Sequence, residues 1–150
     1  MRIAGKWHRC EDGTIRPVID ITVSNAGNGG VLEVFLVDSC SDCTVLSASL
    51  IQKLGMIGKP APSGISLKGI SGSGNYVVVS PVLEFDRAEG GPARVRGEMA
   101  AFTDPSATDL SILGRDVLDH FDLILSRRRN EVLLLAGNHS YQLIDDRESS

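Results

Sequence analysis

The chain has 150 residues, 42% of them hydrophobic and 23% charged, with a formal net charge of −4. That length favours one domain with its own core, and that balance excludes a disordered chain. The acidic total leaves no electrostatic footprint for nucleic acid, and no apolar run approaches the roughly 20 residues that cross a bilayer. The N-terminus, with Trp7, His8 and Arg9, lacks the apolar run of a signal peptide, so a cytoplasmic protein is expected. Three cysteines are an odd count, which argues against a fully paired disulfide framework and fits a reducing compartment.

Residues 1–13 are polar and mixed, and read as an N-terminal arm or a first strand. The main domain is expected over 14–145, with 146–150 as a frayed tail. Residues 15–23 alternate, with Ile19, Ile21 and Val23 on one face and Asp20 and Thr22 on the other, as a half-buried strand does. A glycine–asparagine turn over 25–30 follows. Residues 31–37 form the next strand, and its end, Val34 to Val37, has no polar face. It is expected to be buried on both sides. Residues 47–55 read as a short helix, with Ser47 as N-cap, Leu50, Ile51 and Leu54 on one face, and Gly55 as the stop.

A proline-containing loop is expected over 58–63. Strands at 65–68 and 76–79 then flank a glycine-rich tip at 69–75. Further strands are expected at 81–85 and 93–102, around a turn at 89–92. Residues 110–114 read as a short buried strand and 115–121 as one or two helical turns. Strands at 123–125 and 132–135 bracket Arg127, Arg128 and Arg129, which read as a solvated turn. A last strand is expected at 141–144. The sum is all-β with one or two short helices, which suits a small closed barrel.

Chemistry concentrates where the 31–37 strand ends, in Asp38-Ser39-Cys40-Ser41-Asp42-Cys43-Thr44. An acid placed directly after a buried strand, followed by a hydroxyl and small residues, is a way to present a carboxylate at a rigid position. Two more features follow in order. One is the glycine-rich hairpin Gly69-Ile70-Ser71-Gly72-Ser73-Gly74. The other is Ile112-Leu113-Gly114-Arg115-Asp116. Together the three resemble the retropepsin family of single-domain aspartic proteases: its Asp-Ser/Thr-Gly loop, its flap, and its apolar-apolar-Gly-Arg-Asp/Asn segment. The resemblance spans residues 15–135.

The resemblance implies a retropepsin-like barrel and a catalytic Asp38. The mechanism needs two carboxylates, and two acids held close share a proton rather than both ionise. The chain carries one such loop, so the resemblance implies a symmetric homodimer with one Asp38 from each subunit. It further implies that Ser39 bonds across to the partner's loop. Asp42 and Arg115 would pair beneath the site in a partly buried, directional contact. Gly114 would let its strand approach the loop closely, and the hairpin over 69–74 would close on an extended peptide or protein substrate. Ser41 and Cys40 complete the loop. No metal, cofactor, nucleic acid or membrane is implied.

Cys40 departs from the pattern, because the family has glycine there. Three readings stay open. The small side chain is tolerated with altered activity, the protein binds peptides without cutting them, or Cys40 is a redox gate that bonds to Cys43 or to its mate. Cys40 and Cys43 are formally a C-x-x-C pair, but the β-rich context differs from the helix N-terminus of a redox motif. A structural zinc would have only Cys10 and His8 as further ligands. The glycine-rich tip lacks the Gly-Lys-Ser/Thr ending of a phosphate loop and joins two strands. Asp20, Asp104, Asp109, Asp116, Asp119 and Asp122 read as scattered turn or helix acids. His8, His120 and His139 have no ligand spacing.

Overall fold

Alternation decides the first long strand. In β3 (Ile15–Ser24), Ile19, Ile21 and Val23 are buried while Asp20 faces solvent. The computed structural model describes residues 1–25, 29–61, 68–69, 72–73, 76–104 and 110–137. The strand expected at 141–144 and the tail lie outside them. Ahead of β3, residues 2–9 form β1 (Arg2–Ala4) and β2 (Lys6–Arg9). β3 pairs antiparallel with β2 and with β4 (Val31–Val37). β4 ends in buried Phe35, Leu36 and Val37, as its lack of a polar face requires.

After the Asp38 loop come β5 (Val45–Leu46) and helix α1 (Ala48–Leu54). The Ser47 side chain accepts from the Leu50 N–H, and Gly55 closes the helix in the left-handed region at φ 59°. The loop expected at 58–63 contains a two-residue strand, β6 (Lys59–Pro60), recruited by pairing with Val77 and Val78. Two short strands, β7 (Lys68–Gly69) and β8 (Gly72–Ser73), pair as a hairpin, with Gly69 opposite Gly72. The flap positions Ile70, Ser71 and Gly74 lie outside the described residues.

β9 (Tyr76–Val79) and β10 (Val82–Asp86) follow. The single strand expected over 93–102 is two strands, β11 (Pro92–Arg96) and β12 (Met99–Phe102). The break has a cause in pairing: β11 runs beside β10, whereas β12 runs beside β9 and β5. The chain ends its described course with β13 (Ser111–Leu113), α2 (Arg115–Leu118), β14 (Asp122–Ser126) and β15 (Glu131–Leu135). The fold is all-β with two short helices among the described residues.

Among the described residues the larger sheet has ten strands, ordered β11-β10-β3-β4-β13-β5-β12-β9-β6, with β2 added on β3. A second sheet has three strands, β1-β15-β14. The two share one core through Ile3, Ile19, Phe35, Leu83, Phe85, Val132 and Leu134. Gly5 lets the N-terminal chain into that core, since a Cβ there would lie 2.3 Å from the Val18 carbonyl oxygen. Trp7 fastens the sheets together: its Nε1–H donates to the Ser126 and Glu131 carbonyls at 3.2 and 3.1 Å. The arginine turn is exposed as expected, and Arg127 stacks over the Trp7 ring at 4.9 Å.

Candidate active site

The site is built where two crossing connections meet. β13 lies between β4 and β5, parallel to the first and antiparallel to the second. The loop leaving β4 and the turn leaving β13 therefore emerge side by side. Asp38 N–H donates to the Leu113 carbonyl at 3.1 Å, and Arg115 N–H to the Ser41 carbonyl at 2.9 Å. Asp116 N–H donates to the Asp42 carbonyl at 3.2 Å. Three backbone bonds thus lock the loop of the predicted catalytic acid onto the Gly-Arg-Asp segment.

Asp38 is half-buried, and Ser39 and Cys40 are exposed. The Asp38 Oδ1 accepts the Cys40 N–H at 2.9 Å, and its carbonyl accepts the Ser41 N–H at 3.2 Å. This is an Asx-type turn, which fixes the carboxylate by its own backbone. The Ser41 hydroxyl donates to the Cys43 carbonyl at 2.9 Å and stiffens the same turn.

Gly114 is where the approach is closest. A Cβ there would lie 2.4 Å from both the carbonyl carbon and oxygen of Cys43 and 2.8 Å from the Thr44 nitrogen. Only glycine fits without moving backbone. Arg115 and Asp42 form an ion pair. The pair is more open than expected: the side chains are 53% and 77% exposed in the single chain, because the turn that carries them faces outward. The Asp42 hydrogen bond, then its charge, raise the Arg115 guanidinium further above its ordinary value.

Sequence reasoning missed the pair that braces this junction. Asp116 sits in the first turn of α2, as a helix acid does, but its carboxylate also reaches back to Thr44. Both carboxylate oxygens accept the Thr44 N–H at 2.9 Å, and Oδ1 accepts the Thr44 hydroxyl at 2.7 Å. That hydroxyl oxygen accepts the Gly114 N–H at 3.0 Å. Thr44 is fully buried, so each of its polar groups needs these partners. The only signal in the sequence was the position of Asp116 directly after Gly114-Arg115.

A second polar knot lies one turn away. Ser47 and Ser111, both fully buried, donate their hydroxyls to the Glu33 Oε1 at 3.0 and 3.2 Å. The Ser111 hydroxyl also accepts the Ser47 N–H at 2.9 Å. It ties β4, the start of α1 and β13 together behind the site.

Cys10, Cys40 and Cys43 are free thiols. Partial desolvation, then the charges of Asp116 and Asp42, push the Cys43 thiol above its ordinary range, although the residue as a whole is exposed. A thiol held protonated is a poor nucleophile. Among the described residues no three His, Cys, Asp or Glu side chains gather as metal ligands.

What this arrangement offers is one rigid, half-buried carboxylate with one oxygen tied to backbone, beside an exposed surface. The profile of the aspartyl protease family matches residues 21–117. A retropepsin-like aspartic protease from Rickettsia conorii is similar in structure at 19% identity, over 89% of this chain and 88% of its own, with a TM-score of 0.53. EIAV protease complexed with the inhibitor HBY-793 is also similar, at 19% identity over 69% of this chain and 86% of its own, with a TM-score of 0.46. At that identity the Rickettsia likeness speaks for the fold, which is retropepsin-like. No curated protein matches the sequence.

Proposed function

We propose, because this chain belongs to the aspartyl protease family, that it is an endopeptidase whose active form is a homodimer. Asp38 of each subunit faces its mate across a two-fold axis. The observation that carries this reading is the clamp on the Asp38 loop: an acid held at one position by Leu113, Ser41, Gly114 and Thr44 is preorganised for chemistry. One subunit supplies one such acid, so a shared dyad needs two.

In the dimer, the two carboxylates hold one proton between them, since both cannot ionise at close range. The charged one takes a proton from a water lying between them, and that water attacks the scissile carbonyl. The neutral one donates its proton to the carbonyl oxygen. Cys40 N–H holds Oδ1, which leaves Oδ2 as the oxygen facing the water. Ser39, exposed in the single chain, is placed to bond to the partner's loop. The β7–β8 hairpin closes over an extended peptide and excludes solvent.

Cys40 favours a second reading. Its side chain is exposed directly beside Asp38, on the surface that a mate and a peptide would share. Sulfur there crowds the peptide, and a module that binds without cutting would result. One experiment separates the two: cleavage of a mixed peptide library from about pH 4 to 7 under reducing conditions, wild type beside Asp38→Asn. Turnover that vanishes in the variant supports the dyad. Peptide binding by both proteins, with turnover by neither, supports the binding module.

A further inference from the structure

Two neighbouring stretches of chain break their ladder at the same place. Val79 pairs with Met99 and Val82 with Arg96, which leaves Ser80-Pro81 opposite Gly97-Glu98 without strand pairing. Pro81 has no N–H to give to a ladder. The bend opens a cleft of about 610 Å³ beside the sheet. A smaller cleft of about 150 Å³ continues from it, since Asn25, Ser80 and Glu98 line both. This groove lies away from the Asp38 loop. Ser24 lines it where the chain leaves β3 for β4, whereas Asp38 follows the far end of β4. The 7 residues of β4 put about 20 Å between the two.

The groove changes character along its length. At the wide end β11 turns Arg94 and Arg96 outward, and both line the cleft. Arg94 is matched by Glu84 at 2.8 Å, but among the described residues no carboxylate pairs with the exposed Arg96. The narrow end is apolar. Met56, Ile57 and Val78 line it, and Ile57 is 95% exposed. Lys59, also exposed, stands at that end, and Glu98 marks the junction. Arg96 and Lys59 outweigh Glu98, so the groove is locally positive in a chain whose net charge is −4. An exposed apolar surface rimmed by polar groups is the mark of an interaction site.

We propose that this groove is an exosite, which holds an extended acidic segment of the substrate protein away from the bond that is cut. The inference rests on the protease reading above and adds a second point of contact to it. A carboxylate of the segment pairs with Arg96, and an aliphatic or aromatic side chain further along covers Ile57 and Met56. Between these two anchors, Glu98 and the unpaired backbone at Ser80 and Gly97 bond to the main chain of the segment. A small anion would leave the apolar end bare, and an apolar ligand would leave Arg96 unmatched. An extended peptide satisfies both ends. Because the groove and Asp38 are about 20 Å apart, at least about six residues must separate the acidic segment from the cleaved bond.

The test reads binding and cleavage separately. The probes are two fluorescent peptides, Glu-Asp-Ser-Gly-Leu-Phe and Lys-Lys-Ser-Gly-Leu-Phe, titrated with the full chain and followed by anisotropy. The wild type is expected to prefer the acidic peptide. Arg96→Glu is expected to weaken that peptide roughly three- to tenfold and to favour the basic one by a similar factor. Ile57→Ser is expected to weaken both. Both side chains are exposed, so neither change enters the core, and a reversed preference itself shows that Arg96→Glu is folded. Joined to a cleavable peptide library through a linker of about six residues, the acidic segment is expected to lower KM with kcat unchanged. Arg96→Glu removes that gain and cuts the bare library as before. Binding that follows Arg96 and Ile57 without any turnover supports the groove and overturns the protease reading. Turnover with no preference between the peptides, or with a preference that neither variant alters, overturns the groove and leaves the protease reading standing. A change in sedimentation of either variant, with no peptide bound by the wild type, gives the groove to a second copy of the chain and overturns the exosite.

Discussion

Gly114→Ala tests the architecture of the site most directly. The added methyl would lie 2.4 Å from the Cys43 carbonyl carbon and oxygen. Carbon atoms in good contact sit about 3.5–4.0 Å apart, so the backbone must part by roughly 1 Å. Overpacking of a tight junction costs about 1–3 kcal/mol. The same displacement stretches the buried bond from Gly114 N–H to the Thr44 hydroxyl, worth about 1 kcal/mol. The total, about 2–4 kcal/mol, corresponds to a fall in Tm of roughly 5–15 °C for a chain of this length. Gly97→Ala is the internal control, because a Cβ there meets nothing within 4 Å and the backbone is not left-handed. It is expected to change stability by less than about 0.5 kcal/mol. Thermal and urea unfolding of both variants, with peptide cleavage alongside, gives the comparison. A Gly114→Ala protein as stable and as active as Gly97→Ala would refute the close-approach account.

Thr44→Val should cost about 1–3 kcal/mol in urea unfolding, since the Gly114 N–H loses its acceptor in a dry site. Thr44→Ser, which keeps the hydroxyl, should cost less than Thr44→Val. The Cys43 thiol should react with iodoacetamide more slowly at pH 8 than an unperturbed cysteine, with its midpoint above the ordinary value of 9.0, and Asp116→Asn should speed it, read by mass spectrometry. Asp12 works in the opposite sense. Its hydrogen bonds from Thr14, then the Arg16 charge, lower its pKa from 3.8. The stabilisation is present above that pH and is lost as pH falls through the lower folded value. Asp12→Asn should therefore lose that stabilisation near pH 6 and flatten the acid limb of the stability–pH curve, measured by unfolding from about pH 2 to 6. Trp7→Phe removes the donor to Ser126 and Glu131 and should loosen the β14–β15 hairpin, seen as faster amide exchange there than in β3.

What the sequence determined by itself is what neighbouring residues decide. The alternation of Ile19, Ile21 and Val23 set the face of β3, the apolar end of β4 announced burial on both sides, and Ser47 and Gly55 marked the ends of α1. Each of these signals acts within a few residues. The order of the three motifs also carried the family, because it records where chemistry sits along the chain. Tertiary structure decided the rest. Whether 93–102 is one strand or two depends on partners from β10, β9 and β5. Residues 59–60 form a strand only because Val77 and Val78 pass beside them. Asp116 looked like any helix acid until the fold brought Thr44 to it, across 72 residues of sequence. Nothing local makes Thr44 and Asp116 partners. They meet because β13 enters the sheet between β4 and β5, and a buried hydroxyl and N–H there must be satisfied by whatever carboxylate that crossing brings within reach.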